Sequence, residues 1–166
     1  AAPNQNSRAV FNRTRLPIAE PRPEKVTKEL PSEVPLPAQW EVKAPAGAPN
    51  VVIILLDDVG YAAPSAFGGV VNMPTAEKLA DNGLRYNKFH TTALCAPTRA
   101  ALKSGRNHHT VTMRSIPEIA TGYAGNSTVV PDYAQPVAEI LRLNGYNTGA
   151  FGKWHETPGR ETTAAG

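Results

Sequence analysis

The sequence predicts an α/β layered fold, a mostly parallel sheet with helices on both faces. Three observations lead there. Val51-Val52-Ile53-Ile54-Leu55-Leu56 is apolar at every position and rich in β-branched residues, the composition of a strand covered on both sides. Segments of helical and strand character then alternate as far as Phe151, the order of strands interleaved with covering helices. Two of the predicted strands run out onto polar clusters, Asp57-Asp58 and Gly152-Lys153-Trp154-His155, and open α/β sheets hold ligands beyond the carboxyl ends of their strands.

Taken in order, residues 1–48 form a proline-rich arm, since nine of the sixteen prolines fall within the first 49 positions. Proline removes a backbone donor and pushes its predecessor into extended geometry, so the segment cannot make a long helix or an interior strand. Leu16, Ile18, Val34, Leu36 and Trp40 are the side chains that could anchor it. The globular pattern begins at Pro49-Asn50 with the strand Val51–Leu56 and its two acids, followed by the Gly68-Gly69 loop. Pro74 opens a short helix and Gly83 closes it. Leu84 to His90 reads as a strand of alternating apolar residues.

That strand delivers the chain to Cys95-Ala96-Pro97-Thr98-Arg99, which continues to Ser104-Gly105-Arg106. Proline is tolerated in a helix's first turn, where amide hydrogens lack internal partners, and glycine is a natural stop. Cys95 is therefore expected just ahead of a short helix, near unpaired amides and the positive end of the helix dipole, a setting that suits an anionic substrate. Residues 107–131 read as a long surface loop shaping access. His108 and His109 would point apart in an extended loop and are read as structural, as is His90. A helix from about Asp132 to Leu143 follows, with Val137, Ile140 and Leu141 on one face, Pro136 near its first turn and Gly145 as its stop. Tyr146 to Phe151 returns as a strand. No internal repeat is visible.

Composition excludes several classes. The net charge of +3, from 17 basic and 14 acidic residues, is too small and too evenly spread for a nucleic-acid partner. The longest aliphatic run has six residues, far short of the roughly 20 that cross a bilayer, so no membrane span is expected. A single cysteine rules out an internal disulfide framework. A thiol phosphatase would need arginine six places after its cysteine, where Ala101 stands. Asn12-Arg13-Thr14 and Asn126-Ser127-Thr128 match the glycosylation acceptor pattern, which has meaning only in a eukaryotic secretory setting. The compartment is open: periplasmic or secreted if a leader was removed, otherwise cytoplasmic.

Cys95 to Arg106 resembles the signature of the type I sulfatases, arylsulfatase-like members of the alkaline phosphatase superfamily: Cys, any residue, Pro, Ser or a variant, Arg, then Leu and Gly-Arg. Thr98 stands where serine is commoner. Asp57-Asp58 and Gly152-Lys153-Trp154-His155 look like the family's other motifs in the same order, and the resemblance covers about residues 49–160. It implies an alkaline-phosphatase-like fold present in part, with residues 49–166 an incomplete N-terminal portion of the catalytic domain.

The resemblance further implies a sulfuric ester hydrolase acting on a small-molecule sulfate ester. Cys95 would be oxidised to formylglycine by a formylglycine-generating enzyme, and the hydrated aldehyde would be the nucleophile. Asp57, Asp58 and the hydroxyl derived from Cys95 would bind one calcium ion, whose shell of six to eight oxygens needs further ligands beyond Gly166. Arg99 would hold the diol, Lys153 the sulfate oxygens, and His155 would bond the diol and assist proton removal. With the remaining ligands absent, the 166-residue chain alone is expected to bind calcium weakly and not to turn over. The alternatives are a phosphonate monoester or phosphodiester hydrolase of the same superfamily, and a non-catalytic remnant module.

Overall fold

The computed structural model describes residues 12–20, 25–28, 31–34 and 41–159. It corrects the α/β expectation. Among the described residues there is no β-strand; the single bridge is an isolated parallel pairing of Pro64 with Val71. The regular structure of the described residues consists of three short α-helices, α1 (Pro74–Asp81), α2 (Cys95–Ser104) and α3 (Val137–Leu143), with 3₁₀ turns at Pro31–Glu33, Ser65–Phe67 and Pro117–Ile119.

The physical reason is visible at Val51–Leu56. The run is extended but has no ladder partner, and its side chains are between 40% and 80% exposed. A strand apolar on both faces is stable only inside a sheet, with neighbours on each edge and cover above and below. Its composition carries β propensity, but pairing is a property of the partners. The expected strands at 84–90 and 146–151 are also unpaired, and Leu84, Tyr86, Phe89 and Phe151 lie open to solvent.

The chain divides into two compact units. One comprises the described residues of Ala1–Pro49 with Gln135–Ala150. Here α3 begins after Pro136, whose ring suits the helix entrance, and is shorter than the expected helix from 132. Gly145, at φ 85°, and Tyr146 close α3 by donating to the carbonyls of Arg142 and Leu141 at 2.9 and 3.1 Å. This is a Schellman arrangement, which needs a left-handed residue that glycine supplies without strain. A Cβ at Gly145 would lie 2.3 Å from the Lys43 carbonyl carbon. Arg13 ties the same corner, donating to the Asn144 carbonyl at 2.9 Å and to the Lys43 carbonyl at 2.5 Å. Of the anchors expected in the arm, Ile18 is buried, Val34 half-buried and Leu16 exposed, while Leu36 and Trp40 lie outside the described residues. Val137 and Ile140 on α3 are exposed as well.

The other unit comprises the described residues of Asn50–Ala134 and Phe151–Gly166. Its core is small: Ala96 and Ala100, one turn apart on α2, pack with Val111, Met113 and Ala134, and Ile116 and Val130 lean against them. Small residues at that spacing put one helix face close to the returning backbone. Pro97 is buried in the first turn of α2, and Gly105, at φ 65°, ends the helix by donating to the Ala101 carbonyl. The loop after α2 is tightly bonded. Met113 and His108 exchange two bonds of 2.9 Å, and the Thr112 hydroxyl donates to the Val129 carbonyl at 2.6 Å. This turn brings the rings of His108 and His109 within 4.1 Å, correcting the expectation that they diverge. The α1 helix packs on the Ser65–Phe67 turn, where Ser65 Oγ accepts from the Met73 amide at 2.9 Å.

Candidate active site

Cys95 is the first residue of α2, so the helix that packs on the core also sets where its sulfur lies. Leu94, in extended conformation, precedes it. Thr98 has a concrete role in holding this entrance, since its hydroxyl meets the Thr92 hydroxyl at 2.6 Å and accepts from the Thr92 amide at 3.2 Å. Either serine or threonine can make these bonds.

One turn along α2, Arg99 points the same way. Its Nη2 donates to Asp57 Oδ1 at 3.1 Å and its Nη1 to the Lys153 carbonyl at 2.7 Å. Lys153 Nζ donates to Asp57 Oδ2 at 2.7 Å. One carboxylate thus bridges two cations that are 54 residues apart in the chain. The bond from Lys153, then that from Arg99, holds the Asp57 carboxyl below its usual pKa, and the same contact with Asp57 raises Lys153. Arg99 Nε is buried and has no acceptor among the described residues.

His155 closes the group. Its Nδ1 lies 3.0 Å from Cys95 Sγ, and its backbone is held at φ 60°, the left-handed region. A non-glycine residue there is uncommon and persists where its surroundings over-determine it. Those surroundings are identifiable. Trp154 lies under the Lys103 ammonium, 3.1 Å from the ring centroid, and Lys103 also pairs with the buried carboxylate of Glu156. Residues 153–156 are thereby strapped along α2. Burial lowers the Lys103 pKa to about 8, with repulsion from Arg99 the lesser cause.

Five of the six residues expected from the sequence, Asp57, Cys95, Arg99, Lys153 and His155, therefore converge. Asp58 does not: it bends the backbone at φ 53° and forms no ion pair among the described residues. The donors present do not fit a calcium site. Both oxygens of Asp57 are engaged by cations, and among the described residues no three His, Cys, Asp or Glu side chains gather to hold a metal ion.

Sequence reasoning missed three participants: Lys103, Glu156 and Glu118. Glu118, on the Pro117–Ile119 turn, meets His155 Nε2 with its two carboxylate oxygens at 2.8 and 3.0 Å. Its own backbone amide, then His155, holds the Glu118 carboxyl below its usual pKa. The only signal available was a proline-initiated turn carrying an acid, Ile116-Pro117-Glu118, in the loop after α2.

Comparison with known proteins agrees with the family resemblance. The sulfatase family profile matches residues 49–166. A sulfatase of Schizosaccharomyces pombe is 35% identical over 120 residues, covering 68% of this chain and 22% of the relative. Arylsulfatase from Klebsiella aerogenes is 33% identical over 109 residues, 64% of this chain and 24% of the relative. Human arylsulfatase A is 37% identical over 120 residues, 71% and 23% respectively. The chain spans less than a quarter of the length of each. No solved structure gives a significant match. Among the described residues no helix is long and apolar enough to cross a membrane. A profile that covers the whole span from the first aliphatic run onward, with relatives of the same kind from bacteria, yeast and mammals, places the chain in the sulfatase family.

Proposed function

We propose that the chain carries the nucleophile, the anion-binding cations and the proton-handling histidine of an arylsulfatase-like sulfuric ester hydrolase. The observation that carries the reading is the convergence on Cys95 of His155 and, beside it, the linked pair Arg99 and Lys153. A sulfate ester is anionic, and negative charge grows on its bridging oxygen as the bond breaks, so its site needs cations in fixed positions. Arg99 is fixed by its bond to the Lys153 carbonyl and retains an unpartnered Nε, while the Lys153 ammonium, paired with Asp57, lies beside it. These donors orient the sulfuryl group toward residue 95. His155 Nδ1 is within reach of the side chain there and takes up its proton.

Formylglycine at position 95, made from Cys95 by a formylglycine-generating enzyme, would supply a gem-diol that attacks sulfur and later releases sulfate by regenerating the aldehyde. A plain thiol lacks that exit. The family resemblance implies calcium on Asp57 and Asp58, but both Asp57 oxygens are held by cations and the described residues gather no metal-binding group, so no step of the proposal runs through the ion. Substrate is a small-molecule sulfate ester.

The test has two parts. Mass spectrometry of the Cys95 peptide, from protein produced in its native source, reads conversion as a mass loss relative to cysteine. Hydrolysis of aryl sulfate and aryl phosphonate esters by the same protein and its Cys95→Ala variant then reads the chemistry. Aldehyde at Cys95, preference for the sulfate and loss of turnover in the variant are expected. An unconverted thiol with no hydrolysis overturns the reading, and preference for the phosphonate reassigns the substrate.

A further inference from the structure

We propose that Glu118 is the positioning residue for His155, turning the ring so that a bare Nδ1 faces the reactive side chain at position 95. The inference deepens the sulfatase reading, and its catalytic meaning rests on that reading. A carboxylate can only accept, so contact of both Glu118 oxygens with Nε2 requires the ring to carry its proton there. The neutral ring then presents Nδ1 as an acceptor to residue 95, 3.0 Å from Cys95 Sγ. When Nδ1 takes the proton, Glu118 faces the resulting imidazolium and offsets its charge. Base and orienting acid in hydrogen-bonded series are the general logic of an activated nucleophile.

The placement of Glu118 is not accidental to the fold. Its turn closes by bonds of 3.2 Å from the Ile119 amide to the Ile116 carbonyl and from the Ala120 amide to the Pro117 carbonyl. Ile116 packs against the core that also receives Ala96 and Ala100 of α2. Cys95 and Glu118 are therefore held by the same small core from two sides, with His155 between them in its left-handed backbone conformation. A surface ion pair of convenience would not need that framework on both flanks.

The experiment uses the full 166-residue chain in its unconverted form, where Cys95 is the single thiol. Long-range proton–nitrogen NMR spectra read which His155 nitrogen carries the proton, and the rate of alkylation by iodoacetamide reads the thiol. In the parent protein the proton sits on Nε2. Glu118→Ala yields a tautomer mixture and slows alkylation by about 10-fold or more, the range in which orienting partners act. Glu118→Gln, whose amide oxygen still accepts from Nε2, keeps the tautomer and loses less rate.

Unchanged tautomer and rate in Glu118→Ala overturn the proposal. Glu118 is exposed at the surface, and circular dichroism checks folding. Should that variant unfold, Glu118→Gln decides alone: a rate lowered by about threefold with the tautomer kept supports the proposal, since loss of charge weakens support for the imidazolium; an unchanged rate overturns it. Absence of aldehyde or of sulfate release would sink the sulfatase reading and leave both readouts untouched, so the two failures are distinguishable.

Discussion

Two stretches of one unit deal with solvent in opposite ways. Val51–Leu56 is the longest aliphatic run in the chain, and its side chains are 40% to 80% exposed. The segment from Cys95 to Ala134 is mixed in polarity, yet it supplies all five residues of the buried core and most of the hydrogen bonds around the site. Apolar composition alone therefore does not decide burial here. What decides it is whether a segment can satisfy its backbone close by. The helix and turns of 95–134 do so with neighbours a few residues away, while an extended run has to borrow every ladder bond from a distant strand.

The comparison can be broken most severely at the strap over α2. Lys103 is half of a pair with a buried carboxylate and also covers Trp154. Lys103→Met leaves Glu156 uncompensated, and breaking such a pair from one side costs about 3–5 kcal/mol. In urea unfolding the variant is expected to lose most of its cooperative transition. Lys103→Met with Glu156→Leu removes both charges and is expected to recover most of the loss. If the single and double variants unfold alike, the strap is held by packing and the pair is incidental.

Next in size is the core itself. Met113 is fully buried between α2 and the loop that follows. Met113→Ala leaves a cavity and is expected to cost about 2–5 kcal/mol, read as a lower urea midpoint at unchanged slope. A loss under about 1 kcal/mol would mean that the loop collapses into the space and that the core is less specific than its burial suggests.

The other unit offers a smaller, backbone-level counterpart. Gly145→Ala places a Cβ in left-handed conformation, which costs about 1–2 kcal/mol by itself. The added atom also meets the Lys43 backbone at 2.3 Å. The expected outcome is faster amide exchange at Ala44, whose amide donates to the Gly145 carbonyl, and at Tyr146. Unchanged exchange at Ala44 would show that residues 43–44 move aside without cost.

These contrasts explain what the sequence could convey. Asp57, Cys95, Arg99, Lys153 and His155 share one place in the structure, and each stands in a short motif whose spacing limits where its side chain can go. Cys95 and Arg99 are one helical turn apart, so a helix suffices to aim them together. The stops at Gly105 and Gly145 were legible because left-handed caps are local. The sheet was not legible as absent: β-branched composition describes what a strand would bury, and says nothing of whether partners reach it. Glu118 was hidden for a related reason, since its meeting with His155, 37 residues on, depends on how the loop after α2 returns. His108 and His109 were misread by assuming extended backbone where a tight turn runs.

The smallest expected effect is the sharpest test of the opening contrast. Ile54 and Met113 are both large and apolar, but Ile54 is 74% exposed and Met113 is 0% exposed. If burial rather than composition sets the contribution, Ile54→Ala changes stability by no more than about 0.5 kcal/mol, the scatter of ordinary surface substitutions. The same urea experiment reads both. A cost at Ile54 approaching that at Met113 would mean that the aliphatic run is covered in solution, and the argument from local backbone satisfaction would then fail for this unit. An unmoved midpoint at Ile54 beside a large loss at Met113 would leave the run as apolar surface that contributes nothing to holding the nucleophile in place.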